Sequence, residues 1–154
     1  MGSLAVDQLK LAAFVPYRLS IASNMVSDVI ATAYRTLFGL SVAEWRLVTV
    51  LAERSQATQA VLASATRMDK LTVSRAAIAL VDRNLVERAG NPKDKRSNIL
   101  TLSAAGRDLY AQVAPKALAL EQQLLAGFSD EERETLLAML ARLEEAAARM
   151  GEAP

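Results

Sequence analysis

Residues 68 to 102 read MDKLTVSRAAIALVDRNLVERAGNPKDKRSNILTL, and a change of period inside this stretch decides the fold. Leu71, Ser74, Ile78, Val81 and Leu85 recur at spacings of three, four, three and four, the period of one helix face. The spacing predicts a helix over about Asp69 to Arg83, with this stripe turned inward and Thr72, Arg75, Ala76, Ala79 and Arg83 on the opposite side. Alanines on an outer face leave the backbone free to approach another molecule closely. Asn84 then stands where a helix end wants a residue tolerant of the left-handed conformation. Beyond it, Leu85 to Arg88 and Asn98 to Leu102 read as two strands, joined across an Asn91-Pro92 turn signal. The tip of this hairpin gathers Lys93, Lys95 and Arg96 around one acid, Asp94.

Working outward, Ser41 with Glu44 three residues on is a capping box, and it opens a helix carrying Trp45, Leu47, Val48 and Leu51. A short helix over Gln59 to Ala65 and a turn at Thr66 to Met68 lead into the quoted stretch. Ahead of these, a long first helix is predicted from about Asp7 to Leu37, where Pro16 either starts the main part or kinks it, and Phe38-Gly39-Leu40 closes it. Ser103 caps the helix after the hairpin. A last amphipathic helix starts at Ser129-Asp130-Glu131-Glu132 and carries Leu136, Leu137, Leu140 and Leu143. The chain shows no internal repeat and no low-complexity linker. The fold class is therefore mainly α with a small β-wing.

Composition limits the chemistry. The 154 residues suit one domain, and 52% hydrophobic content is ample for a core. The absence of cysteine and histidine removes disulfides, thiolate nucleophiles, imidazole bases and the usual zinc sites. No catalytic residue, metal site or cofactor is expected, and no glycine-rich phosphate loop is present. No apolar run approaches the roughly 20 residues that span a bilayer, and no signal-peptide pattern opens the chain, so a cytoplasmic protein with no membrane partner is expected. Met1-Gly2-Ser3 begins like a myristoylation signal, but Val6 occupies the position where that signal has Ser or Thr.

A net charge of +1 hides an uneven distribution. Residues 54 to 107 hold ten Lys and Arg against four Asp and Glu, a local +6, while the rest of the chain carries −5. Two short helices, a third with a polar, small-residue outer face and a basic hairpin together describe a winged helix-turn-helix, and duplex DNA is the partner such charge fits. Lys70, Thr72, Ser74 and Arg75 of the third helix are candidates for base edges or phosphates in the major groove. Lys93, Asp94, Lys95, Arg96 and Ser97 form the candidate wing, with Arg96 aimed at a minor groove, Asp94 orienting it, and the two lysines on phosphates. Arg88 lies in a strand and is open to either a DNA contact or a simple ion pair.

MDKLTVSRAAIALVDRNLVER followed by NPKDKRSNILTLSAAGRDLY resembles the recognition helix and wing of MarR-type transcriptional regulators, including the D-x-R-S of Asp94-Lys95-Arg96-Ser97. LSVAEWRLVTVL, residues 40 to 51, is similar to the family's second helix. Asn84 departs from the glycine common there, a change tolerated because Asn also adopts positive φ. The resemblance implies a single MarR-like domain over 1–154, with dimerisation helices at 1–38 and 115–154 and a DNA-binding lobe at 41–107. It further implies an obligate homodimer on a pseudo-palindromic operator, in many members a repressor released by a small phenolic or anionic ligand. Sensing of oxidants through cysteine, used by one branch of the family, is closed to this chain.

Arg18, Met25, Tyr34 and Trp45 are the large or polar side chains expected near a ligand pocket, where Arg18 could pair with the carboxylate of an aromatic effector. The competing reading makes them core or dimer-interface residues. A winged helix can also serve as a protein-interaction module, although three cations at a tip would add little to that role. Enzymatic activity would have to rest on scattered Ser, Lys, Asp and Glu.

Overall fold

Helix α1 (Val15–Phe38) holds Pro16 in its first turn, where the missing N–H costs no hydrogen bond, and ends on Gly39 at φ 63°. Proline thus starts the helix, which begins at Val15 and not at Asp7: Leu11–Ala13 form a separate 3-10 turn and Phe14 is extended. The computed structural model describes residues 7–152, and residues 1–6, with the Met1-Gly2-Ser3 start, and 153–154 lie outside it. The Ser41–Glu44 capping box forms in both directions, at 3.1 and 2.8 Å, and opens α2 (Val42–Arg54). Thr58 caps α3 (Gln59–Thr66), and Asp69 caps α4 (Lys70–Asp82).

Asn84 takes φ 58° after α4, so the chain reverses into β1 (Val86–Gly90), which pairs antiparallel with β2 (Asn98–Leu102) from Val86↔Leu102 to Gly90↔Asn98. Ala57, between α2 and α3, adds an isolated bridge to Leu100, with hydrogen bonds of 3.1 and 2.8 Å that tie the wing base to the helices. Ser103 Oγ accepts the Gly106 N–H at 3.0 Å and donates to Asn84 O at 2.7 Å, which fixes the start of α5 (Ala104–Leu124) against the α4–β1 turn. Gly106 is required by that approach, since a Cβ there would lie 2.0 Å from the Leu85 carbonyl oxygen. A second capping box, between Ser129 and Glu132, opens α6 (Asp130–Glu152).

The chain divides after Val113 into two compact units. The core of the first joins Leu40, Leu47, Val48, Leu51 and Leu62 to Val73, Ala77, Leu80, Leu100 and Val113, all buried. Here α4 departs from the predicted face: Val73, Ala76, Ala77 and Leu80 are buried, whereas Leu71 and Ile78 are exposed and Ser74 is half-buried. The physical reason is close packing. Helices α2 and α3 both bear on α4, and alanine lets helix axes approach where leucine or isoleucine would hold them apart. Among the described residues, no helix is long and apolar enough to cross a membrane.

Candidate nucleic-acid interface

The outward stripe of α4 runs through Leu71, Ser74, Arg75 and Ile78, with Lys70 exposed at its start. Arg75 and Lys70 therefore project from the face and the end of α4 that a recognition helix turns to base edges and phosphates. Thr72 is used differently from the expectation. Its N–H donates to Asp69 Oδ1 at 2.8 Å and its hydroxyl donates to Asp69 Oδ2 at 2.9 Å, so the side chain completes the helix cap. Accepting these bonds, first from the Thr72 N–H and then from its hydroxyl, holds the Asp69 carboxyl below its ordinary pKa.

The wing tip is organised by its own hydrogen bonds. Asn91 Oδ1 accepts the Lys93 N–H at 3.1 Å, and Asn91 Nδ2 donates to Ser97 Oγ at 3.1 Å. Asp94 Oδ1 accepts the backbone N–H of Arg96 at 2.9 Å, and the Ser97 N–H reaches Asp94 O at 3.2 Å. Asp94 therefore shapes the turn through the Arg96 backbone and does not hold its guanidinium as expected: no ion pair joins the two side chains, because this tight turn brings the N–H to the carboxylate first. Ser97 is likewise a turn-builder. Asn91, read in the sequence only as a turn signal, is the residue that cross-links the tip.

Five exposed cations result, Lys70 and Arg75 on α4 and Lys93, Lys95 and Arg96 on the wing. None forms an ion pair among the described residues, and neither does Arg88. By contrast Arg83, assigned to the outer face, turns its guanidinium back on the end of α1, donating to Gly39 O at 3.0 Å and Phe38 O at 3.5 Å. Those carbonyls carry the negative end of the α1 dipole. No group of three or more His, Cys, Asp or Glu among the described residues could hold a metal ion.

The four candidate pocket residues separate into two pairs. Tyr34 is buried and meets Trp45 at a ring-centroid distance of 5.6 Å, and Trp45 stacks on Tyr110 at 5.8 Å. Burial raises the Tyr34 hydroxyl above its ordinary pKa, against the opposing pull of Arg46 and Trp45. Arg18 and Met25 do not join this cluster. Sixteen and nine residues before Tyr34 on one helix, they lie about 24 and 14 Å away along its axis, with Met25 66% exposed and Arg18 reaching only Ala12 O at 3.4 Å. The cation near the rings is Arg46, which sequence reading passed over although it adjoins Trp45. Trp45, Arg46, Thr49 and Val50 of α2, with Ala65 and Thr66 of α3, line an open groove of about 430 Å³.

A family model described as the MarR family matches residues 38–97. The chain is 30% identical over 97 residues to the uncharacterized HTH-type transcriptional regulator YwoH of Bacillus subtilis, covering 63% of this chain and 70% of that relative. Its structure superposes on a MarR/EmrR family transcriptional regulator from Acinetobacter sp. ADP1 with a TM-score of 0.83 at 26% identity, over 92% of this chain and 99% of the other. A MarR variant from Escherichia coli, solved in complex with operator DNA, shares the fold at a TM-score of 0.77 and 22% identity, over 89% and 99% of the two chains. This chain belongs to the MarR family of transcriptional regulators.

Proposed function

We propose that the chain is a homodimeric repressor that binds a pseudo-palindromic duplex operator, inserting α4 into the major groove and laying the 91–97 wing along the neighbouring minor groove. The observation that carries this reading is the set of five unpaired, exposed cations on α4 and the wing tip of one compact unit. Such cations bind phosphate by releasing condensed counterions, and every one so engaged steepens the loss of affinity with salt. The operator complex of the Escherichia coli relative supports duplex DNA as the partner. Dimerisation is supported by apolar side chains left exposed on α1, such as Leu19, Ile21 and Val29, and on α6, such as Leu136, Leu137 and Leu143.

Gel shifts of genomic fragments with the purified protein, repeated from 50 to 200 mM salt, test the reading. Selective retention that falls by orders of magnitude across the series is the expected result. A protein that retains no duplex at low salt would leave the interaction-module reading in its place.

The groove beside Trp45 favours an added role, capture of a small aromatic anion that weakens operator binding. Arg46 offers the charge, Trp45 a ring face, and Thr49 and Thr66 hydroxyls, although those two donate to Trp45 O at 2.9 Å and Leu62 O at 2.7 Å. Trp45 is the only tryptophan, so quenching of its fluorescence by simple aromatic acids reads occupancy directly. Unchanged fluorescence and an intact operator complex at millimolar ligand would remove the effector role.

A further inference from the structure

Helix α4 is built inside out with respect to side-chain size. Its buried face uses two alanines, Ala76 and Ala77, beside Val73 and Leu80, while Leu71 is 59% exposed and Ile78 48% exposed on the outer face. A single exposed leucine needs no explanation. Two large aliphatic side chains on one stripe, with Arg75 between them and Lys70 beside the first, make a patterned surface. In the free protein both side chains leave about half of their surface to solvent, and the surrounding cations discourage an ordinary apolar protein partner.

Resting on the proposal that α4 enters the major groove, we infer that Leu71 and Ile78 read thymine 5-methyl groups in each half-site. Among the groups that base pairs present in the major groove, the thymine methyl is the apolar one, and aliphatic side chains are its complement. The spacing fits two thymines. Seven residues of helix separate the two side chains by about 10.5 Å along α4, so Leu71 and Ile78 meet two different thymines, whose separation in base pairs is set by the angle at which α4 lies in the groove. Arg75, lying between them on the same stripe, takes guanine or phosphate in the interval. The specificity of this chain is then carried in part by methyl contacts, and its half-site is defined by where thymines stand as well as by where cations land.

The test starts from duplexes enriched out of a random pool by the full-length protein. Two separate thymines per half-site are expected. Replacing each in turn by deoxyuridine removes one methyl group and alters no other contact, and a loss of about fourfold in affinity per methyl is expected from the burial of one such group. In Leu71→Ala the loss at one position disappears while that at the other remains, and Ile78→Ala gives the reverse. Both side chains are exposed, so both variants should unfold with the parent, and the deoxyuridine measurement needs no variant at all. Deoxyuridine duplexes that bind the parent as tightly as thymine duplexes overturn the inference and leave the regulator reading standing. So do alanine variants that keep the parent's deoxyuridine sensitivity, which would assign the apolar pair to a protein partner. If no duplex is enriched, the regulator reading fails first and this inference fails with it.

Discussion

Leu80 on α4 and Leu137 on α6 are leucines within amphipathic helices, yet the first has no exposed surface and the second is 56% exposed. The contrast extends to their surroundings. Leu80 belongs to a core closed by α2, α3, α4, both strands and the start of α5, whereas α6 has no buried residue among those described. The winged unit therefore completes its own interior. Helix α6 carries an apolar stripe in which Leu136, Leu137 and Leu143 are exposed and Leu140 is half-buried. The interior of the first region is closed within the unit, and the second has no buried residue among those described.

Truncation measures this difference most sharply. Leu80→Ala should lose about 2–5 kcal/mol in urea unfolding, because a large hole opens in a core that cannot collapse around it. In the proposed dimer Leu137→Ala should exceed the roughly 0.5 kcal/mol of a surface substitution, and it should stay within that if the helix is uncovered in solution. A loss for Leu137→Ala that approaches the one for Leu80→Ala would show that a second copy buries it. Next in size is Leu136→Glu, which should cost about 2–4 kcal/mol of dimer stability by placing an unpaired charge in the interface. Light scattering at micromolar concentration checks it: the parent is expected at dimer mass, the variant substantially at monomer mass. A parent that runs as a monomer would break the comparison outright, since α6 would then be an exposed apolar surface with no cover.

The two regions also differ in how far the sequence could be read. Some termini were legible from a capping pair or a residue tolerant of positive φ: Ser41 with Glu44, Ser129 with Glu132, Gly39 and Asn84 all act where their positions along the chain placed them, whereas Thr58 and Asp69 cap α3 and α4 without having been singled out. The face of α4 was not legible. Its sequence contains two apolar stripes, and choosing between Leu71/Ile78 and Val73/Ala77/Leu80 depends on how closely α2 and α3 approach, which periodicity does not contain. Larger side chains drew the inward assignment, and close packing preferred the smaller ones. At the candidate interface, residue types were legible but roles were not. Thr72 and Asp94 carry groups that could meet DNA, but the Asp69 carboxylate takes the Thr72 hydroxyl first, and the Arg96 backbone N–H takes the Asp94 carboxylate.

That distinction sets the next expected effects, in the winged unit and smaller again when folding is considered. Arg96→Ala should weaken operator binding by about 1–3 kcal/mol if its guanidinium enters the minor groove, with unfolding unchanged because the side chain is exposed and unpaired. Asp94→Ala should cost less in binding, since it loosens the turn while leaving every cation in place. Gel shifts on one selected operator compare the two. If Asp94→Ala is the more damaging, the shape of the tip matters more than the charge of Arg96.

The smallest expected effect compares the regions through one titratable group in each. Asp69 caps α4 and Glu132 closes the capping box of α6, and both carboxyls lie below their ordinary pKa. The causes match: Asp69 accepts the N–H and hydroxyl of Thr72, and Glu132 is lowered first by the Ser129 N–H and then by its side chain. A carboxyl whose folded pKa is depressed contributes stability above its unfolded value, about 3.9 for Asp and 4.3 for Glu, and that contribution is lost as pH falls through the folded value. Both caps should therefore be fully effective at neutral pH and fade in acid below about pH 4. Asp69→Asn and Glu132→Gln keep neutral capping groups, so each variant should lose part of the parent's acid sensitivity with little change at pH 7. Urea unfolding of parent and variants between pH 7 and pH 3 checks the slope. If the dimer unfolds as one cooperative unit, both substitutions flatten the same transition; if α6 melts away from the winged unit, Glu132→Gln moves only the earlier transition and Asp69→Asn only the later one.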